Sequence, residues 1–180
     1  MNRKIQTILI QGFRMRLFLD DFLWEIAHSN PLRDVATLCI KSAQNEGSQG
    51  RYFSGILDVY NVDHFERFSA SLEGWPVVLD ESAQERLLVS DLDQLAGRLI
   101  NMHARMRLAV EELVSGDNSE EENTLLKELL DLEKQAIQAI TDAYVEILVG
   151  QGPPEERVTE MKTAPSLQRI TEERRPSSEG

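Results

Sequence analysis

Cysteine is almost missing from this chain: its 180 residues hold one, Cys39. A single thiol excludes an intramolecular disulfide framework and a cysteine-rich zinc site. Long apolar runs are missing as well. No stretch reaches the roughly 18 residues that a spanning helix needs, so no transmembrane segment is expected. Positive charge is scarce, with 19 Lys and Arg against 31 Asp and Glu and a net charge of −12. Neutralising phosphates needs a basic surface, so direct nucleic-acid binding and polybasic membrane attachment are excluded as general roles. The sequence has no G-x-S-x-G elbow, glycine-rich phosphate loop or H-E-x-x-H pair, and so no catalytic residue is assigned. The apolar stretch Ile5–Ile10 is broken by Gln6 and Thr7, and Arg14 and Arg16 follow it without a small-residue cleavage site. With the lone thiol, this makes a cytoplasmic location the expectation.

What is present is helical periodicity. Apolar residues make up 41% of the chain, enough to build one core. The length fits a single domain, with a prior of about 150 residues per domain. Ile5, Ile8, Leu9, Phe13, Leu17, Phe22, Leu23 and Ile26 follow helical spacing and predict a helix over 3–28. Asn30-Pro31 suits the start of a second, short helix, with Asn30 as its cap and the proline at its first position. Leu32, Val35, Ala36, Cys39 and Ile40 mark one face of it. Gly47, Ser48 and Gly50 predict a flexible loop over 45–50. Residues 51–73 read mainly as helix. A small β-hairpin within 51–79 is the alternative, from the aromatic and β-branched run Tyr52–Val59 and the extended Trp75–Leu79.

The clearest signal is a long αα-hairpin. Its first arm is capped by Ser90 and carries Leu92, Leu95, Leu99, Met102, Met106 and Val110. A turn at Gly116-Asp117-Asn118 follows, then a Ser119/Glu122 capping box. The second arm runs from Leu125 to Leu148 and is closed by Gly150 and Pro153-Pro154. The expected fold is all-α: a helical bundle over residues 1–150, built on this hairpin packed against the N-terminal helices. Residues 151–180 lack apolar periodicity, hold four of the six prolines, and predict a disordered tail.

Two residues break the apolar stripes. Glu133 shares heptad spacing with Leu126, Ile140 and Ile147, and His103 is spaced by seven from Ala96 and Val110. Closing the hairpin sets 103 opposite 132, so a histidine and an inward carboxylate share one level. A carboxylate on an apolar face is costly unless it is partnered, so His103 and Glu133 are read as a buried polar pair. A second reading adds Glu25 and His28, whose i, i+3 spacing is that of di-iron carboxylate bundles. It makes Glu25, His28, His103 and Glu133 the candidate ligands of a divalent metal in a ferritin-like oxidase or storage bundle. Without that metal no cofactor is implied. Arg98, Arg105 and Arg107 are expected to pair with acids of their own hairpin, such as Glu128 or Asp131.

The charge is concentrated. Residues 1–50, 51–90, 91–150 and 151–180 carry +1, −4, −8 and −1. An acidic helical face without catalytic groups points to a protein that binds another protein, such as an adaptor, chaperone or inhibitor. Its partner would present a basic surface. Candidate contacts are Glu120, Glu121 and Glu128 on the acidic face, and Phe18, Phe22 and Trp24 on the apolar N-terminal helix. The latter three are either core or the surface that meets a partner or a second copy.

Overall fold

The computed structural model describes residues 1–69, 76–77 and 80–150. Six helices account for them: α1 (Arg3–Ser29), α2 (Arg33–Val59), α3 (His64–Ser69), α4 (Glu81–Leu88), α5 (Leu92–Val114) and α6 (Glu120–Gly150). Among the described residues there is no strand. Met1–Ile147 form one compact unit and Leu148–Gly180 a second, of which the last residues of α6 are described. The expected tail and most of the extended segment Trp75–Leu79 lie outside the described residues.

The largest departure from expectation is α2, which runs unbroken for 27 residues through the segment expected to be a loop. Three glycines explain it. A Cβ at Gly12 would stand 2.4 Å from Phe53 Cε1, and one at Gly47 2.7 Å from Asp20 Oδ2. One at Gly50 would touch the Arg16 Cβ at 3.6 Å. These glycines let α1 and α2 pack backbone to backbone, and that packing overrides the glycine's poor helix propensity of ~1 kcal/mol. The same helix replaces the strand considered at Tyr52–Val59.

The helix ends differ in detail. Asn30 does not cap α2: its backbone N–H bonds Ile26 O, closing α1, and its side chain accepts from Leu32 N. Pro31 lies in the link, one residue before Leu32, the N-cap of α2. α2 closes with Asn61 at φ 53°, Asn61 N on Asp58 O and Val62 N on Leu57 O. This is a Schellman closure, with asparagine in the left-handed position usually held by glycine. Asp91, not Ser90, caps α5 by accepting from Gln94 N. The Ser90 hydroxyl instead donates to Arg86 O. α4 is an additional helix, capped by Asp80 on Ala83 N. At α6 the capping box forms in both directions, Glu122 N to Ser119 Oγ and Ser119 N to Glu122 Oε2.

The four long helices form the bundle, and its core has two apolar halves. One holds Leu19, Leu23, Ile26, Leu38, Cys39, Leu95, Leu99, Ile140 and Ile147. The other holds Ile5, Leu9, Phe13, Phe53, Leu57, Val110, Leu126 and Leu129. α1 and α6 run from the second half to the first, whereas α2 and α5 run from the first to the second. α2 and α5 are therefore parallel, and the connection between Val59 and Leu92 returns the chain to the opposite end. Bundles with one long crossover have this topology.

Candidate functional site

Between the two apolar halves lies a layer of charge. Each long helix contributes one member from its apolar stripe: Arg16 from α1, Glu46 from α2, His103 from α5 and Glu133 from α6. All four are 0–1% exposed. Arg16 Nη2 lies 2.8 Å from Glu133 Oε1, and its Nε and Nη2 both donate to Gln49 Oε1 at 3.0 and 2.8 Å. A third nitrogen, Nη1, reaches the carbonyl of Gly12 at 3.3 Å, and the guanidinium covers the Phe53 ring at 4.3 Å. His103 Nδ1 lies 2.8 Å from Glu133 Oε2. Its Nε2 stands 3.0 Å from Glu46 Oε1 at ion-pair distance, without the alignment of a hydrogen bond.

With His103 protonated, the quartet carries two positive and two negative charges and sums to zero. Burial opposes the imidazolium, but the Glu46 and Glu133 carboxylates outweigh it and push the His103 pKa up to about 9. Burial likewise opposes the Glu133 carboxylate, and the Arg16 guanidinium and His103 outweigh it, holding its pKa below the usual range. The imidazole is thus held between two carboxylates as a cation. The layer is enclosed on all sides by the two apolar halves of the core.

The four candidate metal ligands are not gathered. Glu25 and His28 lie exposed on α1, nine and twelve residues beyond Arg16, or ~14 and ~18 Å along the axis at 1.5 Å per residue. The His28 ring packs against Trp24, with Nδ1 2.7 Å from the Trp24 carbonyl. At Glu133 the positions a cation would take are filled by a guanidinium and an imidazole. Among the described residues no group of three or more His, Cys, Asp or Glu is arranged to hold a metal ion. Phe18, Phe22 and Trp24 pack on the core, with Phe18 stacked on Phe22 at 5.3 Å. Cys39 is buried, and desolvation pushes its thiol up to about 12, so it is inert as a nucleophile.

The acidic candidates do converge. Glu120, Glu121 and Glu128 line an open groove between α2 and α6 with Tyr52, Gly55, Ile56, Val59, Tyr60, Thr124 and Leu125. Its volume is about 880 Å³. The floor is apolar, Val59 is 76% exposed, and no lining residue is basic. Tyr52 donates its hydroxyl to Glu128 at 2.8 Å. Burial and the neighbouring carboxylates raise the pKa of both tyrosines, which marks the negative potential of the groove. Sequence reasoning named the three glutamates but not the α2 side, because it did not carry α2 as one helix to Val59. No helix among the described residues is long and apolar enough to cross a membrane. In comparisons with protein-family models, curated proteins and solved structures, the chain matches none.

Proposed function

We propose that this chain is a non-catalytic binding protein of the cytoplasm, whose α2–α6 groove receives a basic amphipathic helix of another protein. The observation that carries this reading is the groove's composition: exposed Val59 and half-buried Ile56 on the floor, three carboxylates on the rim and no basic residue. A helix laid in a groove needs an apolar strip for its anchors and opposite charge along its edges. Such a rim also speeds docking through long-range attraction. The enclosure of the charge quartet supports the non-catalytic part, since its polar groups cannot reach a substrate.

The test uses a labelled amphipathic peptide of about 14 residues, roughly four turns, with leucine along one face and lysine along its edges. Its affinity for the full chain is read by fluorescence anisotropy. Replacing Glu120, Glu121 and Glu128 by Gln should weaken binding about tenfold, from three exposed charges at ~0.2–1 kcal/mol each. It should also flatten the salt dependence. Val59→Ser should weaken binding without changing the salt slope. Unchanged affinity in both variants overturns the assignment.

A further inference from the structure

Among the described residues of this acidic chain lies a cleft lined by no acid. Val77, Ala83, Arg86, Leu87, Arg98, Asn101, Met102 and Arg105 surround about 240 Å³ between α4 and α5. On α5, Arg98, Asn101, Met102 and Arg105 stand at i, i+3, i+4 and i+7 and so share one face, and Arg86, whose Nη1 donates to Ser82 Oγ, lines the cleft from α4. None of the three arginines has an ion-pair partner among the described residues. The acids expected to hold them are engaged elsewhere: Glu128 accepts from Tyr52, and Asp131 pairs with Lys134. Arg107, the third arginine of that sequence cluster, points away and pairs with Glu111 at 3.3 Å. Arg98 Nε is buried and donates to nothing. Three guanidiniums facing one space repel each other, and a buried donor without an acceptor is costly. In a chain with 31 acids, such a cleft is completed by an anion from outside.

We infer that this cleft binds a small organic phosphoester, its phosphoryl group held by Arg86, Arg98 and Arg105 and its carbon skeleton against Leu87 and Met102. A carboxylate has two oxygens and is satisfied by one guanidinium fork. A phosphoryl group has three terminal oxygens and up to two charges, which suits three forks and the Asn101 amide. The volume equals that of on the order of eight waters, more than the five atoms of free phosphate fill. Val77, Ala83 and Leu87 are buried and give the remainder an apolar wall. This site is on different helix faces from the acidic groove, and its test is independent of that reading.

The experiment titrates the full chain with glycerol 3-phosphate, inorganic phosphate and succinate, followed by calorimetry and by the Met102 methyl resonance. Glycerol 3-phosphate should bind most tightly and shift that methyl. Arg98→Gln and Arg105→Gln should each weaken it about tenfold to a hundredfold, the value of one charge-assisted hydrogen bond. The exposed Arg86→Gln gives a further variant that leaves the core untouched. Succinate binding as tightly as the phosphoester overturns the phosphoryl assignment, and equal binding of inorganic phosphate overturns the organic one. No saturable binding, or binding unchanged in the arginine variants with an unmoved methyl, overturns the site itself.

Discussion

Replacing His103 by glutamine removes the cation that balances Glu46 while keeping the approximate shape of the ring. Because the pKa of His103 rises from the ordinary 6.5 to about 9 on folding, its protonation stabilises the native state. The difference is worth about 3 kcal/mol at ~1.4 kcal/mol per unit. The sign follows from the direction. A raised pKa contributes fully below about 6.5, where folded and unfolded chains are both protonated. The contribution declines as pH rises and is gone above about 9, where neither is. Urea unfolding of wild type and His103→Gln, followed by tryptophan fluorescence, measures it at a series of pH values. The gap between the two proteins should be about 3 kcal/mol larger near pH 6 than above pH 9. With a urea slope of ~1–3 kcal/mol per molar, that is a change of ~1–3 M in midpoint difference. A gap that stays constant across this range would show that folding does not raise the His103 pKa, a gap that shrinks towards pH 6 would show a neutral imidazole, and either would refute the balance of charges argued for the layer.

Three further variants probe the charged layer and the α1–α2 contact. Arg16→Met leaves Glu133 with His103 alone and Gln49 without its donors, so it should cost about 3–5 kcal/mol. Calorimetric unfolding checks this, and a small effect would mean that water replaces the guanidinium. Gly12→Ala drives a methyl into Phe53 and should cost about 1–3 kcal/mol. Gly55→Ala, where nothing lies within 4 Å, should stabilise by up to ~1 kcal/mol. If thermal melts move both variants alike, the close approach of α1 and α2 is wrong.

The hairpin of α5 and α6 was legible because its signals are local: two long apolar stripes, the Gly116-Asp117-Asn118 turn and a capping box. Its closure also set His103 and Glu133 at one level. The remainder of the layer follows the same logic. Arg16 lies on the stripe of Leu9, Leu19 and Leu23, and a charge there is as anomalous as Glu133. Glu46 was hidden by the reading of Gly47 and Gly50 as loop. Those glycines answer to a neighbouring helix distant in sequence, which local propensity cannot report. The cap at Asp91 rather than Ser90 is a choice between adjacent good caps, decided by the Ser90 bond to α4. The groove needed the end of α2, and the arginine cleft needed α4, a helix with little apolar pattern to announce it.

The charged layer also distinguishes the ways in which this bundle could be misassembled. Sliding the α5–α6 pair along α1–α2 by one helical turn, about 5.4 Å, would move His103 and Glu133 off Glu46 and Arg16 and against leucine, stranding four charges at once. Exchanging the same pair intact between two copies would strand none, since each copy offers identical partners at identical heights. The interior therefore penalises the wrong offset heavily and the wrong owner not at all.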